Sequence, residues 1–274
     1  MTELSSLLAE RYGPAAAPSL PKNTNALLET LLAHRSIRSF SPEPLPEKTL
    51  ELLIAAGQSA ATSSNLQTWS AVAIENPGRK SEAATLCGDQ PFIRDAPLFL
   101  LFCADLARLK SVGDAASQPG EALEFLEMLL TAVIDASLAA QNVALAAESL
   151  GLGICYVGAA RNRPKELAAL LNLPPRVFAV FGMAVGIPAD GHGASVKPRL
   201  GQSAVLHRET YDREAQKSAV AAYNEEMARF YAEQGMDVRG NWSEHSARRV
   251  ASAAALMGRD VLHDVLSELG FPLR

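Results

Sequence analysis

The sequence has few cysteines, no basic excess and no uninterrupted long apolar run, and each shortage excludes a class of protein. Cys87, Cys103 and Cys155 are an odd number at wide spacing, with no CxxC pair and no Cys/His cluster. They offer no disulfide framework and no zinc site, and they fit a reducing cytoplasm. The net charge of -5 comes from interspersed acids and bases, which leaves no electrostatic footprint for a nucleic acid. The longest apolar stretch, Leu123 to Leu152, carries Glu124, Glu127, Asp135, Gln141, Asn142 and Glu148. Charges at mid-helix are expensive in a bilayer, so this stretch reads as a buried helix and not as a membrane span. Met1 to Gly13 holds Glu3, Glu10 and Arg11 where a signal peptide needs a basic start and a clean apolar run. GxSxG, HExxH and P-loop patterns are missing, so Ser hydrolase, zinc protease and P-loop phosphotransferase readings have no anchor. His192 and His207 have no second ligand at metal spacing and read as surface residues, leaving no metal site.

What is present is 274 residues with 48% hydrophobic content, enough for one sizeable core with extensions. Residues 14 to 25, with Pro14, Pro18 and Pro21, read as a linker after a short helix. Leu27, Leu28, Leu31 and Leu32 have helical spacing, and a second helix after Pro46 carries Leu50, Leu53 and Ile54 inward. Trp69 to Glu75, Pro97 to Cys103, Ile154 to Val157 and Val177 to Ile187 are strand-like runs of β-branched and aromatic residues. Between them lie the long Ala-rich helix 121–150, apolar on nearly every face and stopping at Gly151, and a helix near Lys165 to Leu171. Helices at both ends of a small sheet predict an α+β fold in place of a regular βαβ array.

The last seventy residues carry two apolar stripes, Val220, Tyr223, Met227, Phe230 and Tyr231, then Val261, Leu262, Val265, Leu266 and Leu269 before Gly270. Since the core is complete before them, the tail, with the first helix, is expected to wrap a second subunit. Packing on their own domain is the other reading.

Four segments can carry chemistry. His34-Arg35-Ser36-Ile37-Arg38-Ser39-Phe40 puts two guanidiniums beside hydroxyls, which suits a phosphate monoester; a solvated basic helix end is the commoner meaning of that spacing. Thr62-Ser63-Ser64-Asn65-Leu66-Gln67 serves either a polar heterocycle or an ordinary loop. Gly151-Leu152-Gly153 leads into Tyr156-Val157-Gly158-Ala159, whose small residues let a flat ring approach the backbone. Those glycines precede a strand, where a Rossmann fingerprint needs them after one, so that fold is rejected. Lys197-Pro198-Arg199 sets two cations at a strand exit, fit to neutralise a phosphate or a reduced flavin, or simply to be solvated.

Together these motifs resemble the flavin-dependent nitroreductase superfamily, and most closely its NADPH-dependent, oxygen-insensitive nitroreductase and flavin reductase branch. The resemblance runs over about residues 27–274 and rests on His34 to Phe40, Ala140-Gln141-Asn142 with Glu148 to Gly153, and Gly186-Ile187-Pro188 followed by Lys197-Pro198-Arg199-Leu200. It implies a homodimer with FMN at the subunit interface and a small, mixed, mainly antiparallel sheet among helices, with the C-terminal helices over the partner. Residues 1–25 would be an extension, 26–202 the FMN-binding core, and 203–274 a helical extension for dimer and NAD(P)H contacts. His34, Arg35, Ser36 and Arg38 would hold the ribityl-phosphate side, with Arg199 helping. Gln67 and Gln90 would meet the isoalloxazine, Ser63 would also bind the cofactor, Tyr156, Val157, Gly158 and Ala159 would pass along the ring, and Lys197 would sit beside the flavin and its ribityl chain. Arg239 would take the NADPH phosphate. No side chain is implied as catalytic: NAD(P)H reduces the flavin, leaves, and an acceptor such as a nitroaromatic or quinone takes its place in a ping-pong cycle. Chromate, azo or free-flavin reduction would use the same fold, while a flavin-binding sensor or storage protein would show little turnover. The sequence departs from the family at Gly201, often Pro, and at Gln234, where a second basic residue occurs, so the choice between NADPH and NADH stays open.

Overall fold

The computed structural model describes residues 3–14, 17–20 and 24–274. Its helices are α1 (Glu3–Tyr12), α2 (Ala26–Leu32), α3 (Thr49–Gln58), α4 (Pro77–Leu86), α5 (Pro91–Asp95), α6 (Ala107–Ala115), α7 (Leu126–Ser149), α8 (Pro164–Leu170), α9 (Ala215–Glu233), α10 (Trp242–Arg249) and α11 (Leu262–Glu268). Its strands are β1 (Trp69–Ile74), β2 (Leu98–Asp105), β3 (Gly153–Val157) and β4 (Val177–Gly186). The expected linker has no regular element at residues 17–20, 24 and 25; residues 15, 16 and 21–23 lie outside the described residues. The chain divides into two compact units, a helical one of residues 1–35 and 194–256 and a sheet-bearing one of residues 36–193 and 257–274.

In the sheet unit the strands run β1-β2-β4-β3, each pair antiparallel. A parallel pairing occurs as an isolated bridge between Ser36 and Ile154, so the expected mixed character comes from a segment outside the named strands. All eight residues of β2 are buried, consistent with its near-continuous apolar run. Between Phe102 and Cys103 the register slips and leaves Val180 of β4 as a bulge, whose carbonyl accepts from the Arg161 guanidinium.

Helix α7 lies on this sheet because Ala132, Ala136, Ala139, Ala140, Ala144 and Ala147, at three- and four-residue spacing, let its backbone come close. Leu53 of α3, Phe102, Val143, Ile154 and Met183 share one core cluster, each such side chain contributing about 1.5–3 kcal/mol on burial. The helix is not buried on every face as its composition suggests. Leu126, Leu130, Ile134 and Leu138, spaced by four, are between 42% and 56% exposed in the single chain.

Each tail stripe finds partial cover in its own chain. Val265 and Leu266 of α11 are buried, and Leu266 and Phe271 share a cluster with Leu106, Leu129, Ala132 and Phe178 of the sheet unit. In the helical unit, Tyr223 and Met227 of α9 are buried, and the Tyr223 ring stacks edge-on to Trp242 of α10 at 5.2 Å. Tyr223, Met227, Val265 and Leu266 are thus buried within the single chain. Val261 of the second stripe stays exposed, as do Val205, Leu206, Tyr211, Met236, Val250, Leu256 and Met257 elsewhere in the tail.

Candidate functional site

Three motifs that are far apart in sequence meet at one edge of the sheet. The Ile37 amide donates to the Ile154 carbonyl at 2.9 Å, which lays residues 36–40 along the outer side of β3. Gly153 is required there, because a Cβ at that position would lie 2.7 Å from the Ile37 side chain. Further along, Phe40 bridges Pro188, and Ser41 N–H donates to the Ile187 carbonyl at 2.8 Å. The sheet edge thus brings Ser36 and Ile37 onto Gly153 and Ile154, at the start of the strand that leads into Tyr156, Val157, Gly158 and Ala159.

Arg38 is exposed and carries its guanidinium over the Phe92 ring at 6.0 Å. Phe92 opens α5 just after Gln90, whose side-chain amide donates to the Cys87 carbonyl at 3.0 Å. Gly88 faces Ala159, as a Cβ built on it would stand 3.4 Å from that methyl. Gln90 and Arg38 therefore border the same edge as the 156–159 segment. Burial pushes the Cys155 thiol up while the Arg38 charge pulls it down, and burial with the nearby Glu148 pushes the Tyr156 phenol up, so Tyr156 stays a neutral donor. Its hydroxyl sits 3.4 Å from the Gln141 side chain.

Ser63 and Gln67 occupy the opposite edge, in the loop that feeds β1. Ser64, Asn65 and Gln67 all adopt left-handed backbone at φ of 49°, 56° and 52°, a cost that the surroundings must hold in place. A buried carboxylate does so. Asp135 of α7, 1% exposed, accepts from Thr68 N–H at 3.0 Å, Thr68 Oγ1 at 2.9 Å, Ser63 N–H at 3.1 Å and the Thr62 hydroxyl. Thr62 Oγ1 in turn accepts from Gln67 N–H at 2.9 Å. Burial alone would push this carboxyl up, but the Thr62, Thr68 and Ser63 hydrogen bonds outweigh it and hold it below the usual value. Beside the loop opens a cavity of about 590 Å³ lined by Gln67, Trp69, Ser70 and Arg108.

The helical unit holds the remaining expected residues. Lys197, Arg199 and Arg239 are exposed, and Arg35, half-buried, donates to the Ala33 carbonyl at 3.2 Å. Pro198 between the two cations is buried, its carbonyl accepting from Tyr223 Oη at 3.0 Å. The Arg239 carbonyl accepts from Arg248 at 2.9 Å. Taken by itself, the helical unit offers exposed cations that suit a phosphate monoester, and the sheet unit a strand exit of small residues that suits a flat ring, so each holds residues of the kind FMN needs.

Residues 31–187 match the family model for the nitroreductase family, and residues 197–274 match that family's C-terminal domain. The chain belongs to the nitroreductase family. A relative from Bacillus subtilis (strain 168) called FMN reductase (NADPH) is 36% identical over 250 residues, covering 90% of this chain and 98% of its own. A relative called Cr(VI) reductase from Pseudomonas sp. (strain G-1) is 35% identical, covering 89% of this chain and 98% of its own. Among solved structures, NADPH:FMN oxidoreductase from Vibrio harveyi complexed with NAD+ superposes with a TM-score of 0.80 at 32% identity, over 91% of this chain and all of that one. A hypothetical oxidoreductase from Bacillus subtilis reaches 0.87 at 37% identity, over 92% of this chain and all of that one.

Two residues beside these segments carry no functional signal in the sequence. Asp135 reads there only as a charge that a membrane helix would not carry. Asn162, just after the 158–161 turn, has a buried Oδ1 with no hydrogen-bond partner among the described residues, an arrangement that costs about 1–3 kcal/mol unless something donates to it. Neither has a local sequence signature, since each acquires its meaning from segments distant in the chain.

Proposed function

We propose that this chain is an FMN-dependent NAD(P)H oxidoreductase that reduces small acceptors: nitroaromatics, quinones, free flavin and, as the name of one relative suggests, chromate. The pairing of the Ser36–Phe40 segment with β3, the strand that runs into Tyr156 to Ala159, carries this reading: a segment with guanidinium and hydroxyl groups set against a strand that exits in small residues. Relatives named FMN reductase (NADPH) and NADPH-flavin oxidoreductase, matched over nearly their whole length, support it.

FMN, when bound, supplies two-electron transfer between a nicotinamide and an acceptor. The protein binds and orients. We assign His34, Arg35, Ser36, Arg38 and Arg199 to the ribityl-phosphate, where guanidinium forks match phosphate oxygens. Ser63, Gln67 and Gln90 address the polar rim of the ring, and Tyr156, Val157, Gly158 and Ala159 lie along it. Lys197 places a positive charge that favours the reduced state. No side chain is assigned as a catalytic acid or base, so rate rests on stacking geometry and fixed charge. Nicotinamide and acceptor use one place in turn, and Arg239 is assigned to the NADPH phosphate. We keep residues 26–202 as the FMN-binding core and 203–274 as the extension for dimer and NAD(P)H contacts, in a cytoplasmic protein with three buried free cysteines.

We further propose a homodimer. The 62–68 loop and the 156–159 segment sit at opposite edges of a four-stranded sheet, about 14 Å across at the usual strand spacing. A flavin that meets both sets is served best by one set from each of two copies. The exposed Leu126, Leu130, Ile134 and Leu138 stripe of α7 is a face of the kind that an isologous contact buries. Ile134→Glu is expected to give a monomer that has lost its flavin. Sedimentation equilibrium on the purified variant reads this, and an intact dimer would remove α7 from the interface.

The function is tested by the visible spectrum. The purified protein is expected to be yellow, to bleach with NADPH under anaerobic conditions and to recover its colour when quinone is added. A protein that neither carries nor takes up FMN would end the reading; one that binds FMN but oxidises NADPH no faster with quinone would be a flavin sensor.

A further inference from the structure

The family match begins at residue 31, and α1 lies outside it. One side chain of α1 nevertheless reaches two of the segments assigned above to the flavin phosphate. Arg11 is 5% exposed. Its Nε donates to the Leu32 carbonyl at 2.9 Å, one terminal nitrogen donates to the Lys197 carbonyl at 2.9 Å, and the other donates to the His34 carbonyl. The Arg11 carbonyl accepts from Arg199 N–H at 2.7 Å. One residue thus ties the chain at 32–34 to the chain at 197–199, some 165 positions further on. From the far side, the Tyr223 hydroxyl fixes the Pro198 carbonyl.

Arginine is suited to this task because its planar fork presents donors in fixed directions, whereas a lysine ammonium is a flexible point charge that cannot span three carbonyls set around a plane. A guanidinium taken out of water must be fully hydrogen-bonded to be tolerated, so its geometry is tightly determined. Arg35 follows His34 directly, and Lys197 and Arg199 flank Pro198, so every carbonyl that Arg11 holds is within three residues of a cation assigned to the ribityl-phosphate. Those cations are long side chains, and their usefulness to a phosphate depends on where the backbone starts them.

We propose that Arg11 is a positioning residue for flavin binding: the N-terminal helix docks so that Arg11 locks the His34-Arg35 and Lys197-Arg199 segments in the relation that a phosphate monoester requires. The proposal rests on the FMN reading of the preceding subsection. It gives the N-terminal extension a role in cofactor binding without any contact to the cofactor itself.

The test compares FMN with riboflavin, which lacks the phosphate. Apo-protein is titrated with each, following flavin fluorescence, for the parent and for Arg11→Met. The variant is expected to bind FMN at least about tenfold more weakly, equivalent to roughly 1.4 kcal/mol, with riboflavin binding changed by less than about threefold. In hydrogen exchange, peptides covering 32–38 and 195–202 are both expected to lose protection. Should Arg11→Met fail to fold, Arg11→Lys is read in the same way, since it keeps stem and charge but not the fork. Equal losses for FMN and riboflavin would mean a merely structural role and overturn the proposal. Unchanged FMN affinity in a variant whose parent binds FMN would overturn it while leaving the flavin reading standing. A parent that takes up no FMN would overturn both.

Discussion

Asp135→Asn is expected to lower the unfolding free energy by about 3 kcal/mol and the melting temperature by roughly 6–12 °C, making it among the most damaging single-atom changes in the sheet unit. The carboxylate accepts from two hydroxyls and two backbone N–H groups of residues 62, 63 and 68. An amide of the same shape turns one acceptor into a donor and faces it to donors, so at least one buried group goes unsatisfied. The strained backbone at Ser64, Asn65 and Gln67 then loses its anchor, and flavin binding should weaken along with stability. Thermal unfolding of parent and variant decides this, and a change below about 1 kcal/mol would show that the loop is held by other contacts.

The same residue sets a pH dependence. The folded-state pKa of Asp135 is lowered, so its contribution to stability is complete above the ordinary aspartate value, roughly pH 4, and is lost as pH falls through the folded value. The parent should lose stability over that acid range, and Asp135→Asn should lose correspondingly less. Parallel acid titration curves for the two proteins would contradict the assignment.

Lys197→Ala and Arg35→Ala are each expected to raise the FMN dissociation constant by about 30-fold, or roughly 2 kcal/mol, the size of a charge-assisted hydrogen bond, which Arg35 is proposed to make to the phosphate and Lys197 beside the flavin and its ribityl chain. Lys197 is exposed and Arg35 half-buried, so the melting temperature of the apo-protein should move by less than about 2 °C. Lys217→Ala serves as the control: this cation pairs with Glu214 on the solvent side of α9 and should leave FMN affinity within about twofold. Because charge carries the effect, the gap between parent and variant should narrow as salt is added. Equal flavin content in parent and variants would remove both residues from the site.

Much of this architecture can be read from the chain because local rules act alone there. Asn25 caps α2 by accepting from Leu28 N–H, as a helix-starting Asn should, and Gly151 ends α7 in left-handed backbone at φ 76°. The four strands lie within two residues of where their β-branched and aromatic runs place them. What is not legible is which strands become neighbours. Ile37 on Ile154, Thr62 on Asp135 and Arg11 on Lys197 are pairings of 73 to 186 positions, and no local pattern encodes them. The exposed stripe on α7 is illegible for a related reason: a helix with Leu126, Leu130, Ile134 and Leu138 outside and mainly alanines, with Leu129 and Val143, inside reads as apolar all round.

The chain has two tryptophans, and the fold gives one to each compact unit: Trp69 packs toward Phe102 in the sheet, while Trp242 sits against Tyr223 among the helices. Each unit therefore carries its own emitter. With Trp69→Phe or Trp242→Phe, intrinsic fluorescence during denaturation would follow one unit at a time, and two superimposable curves would mark a single cooperative transition.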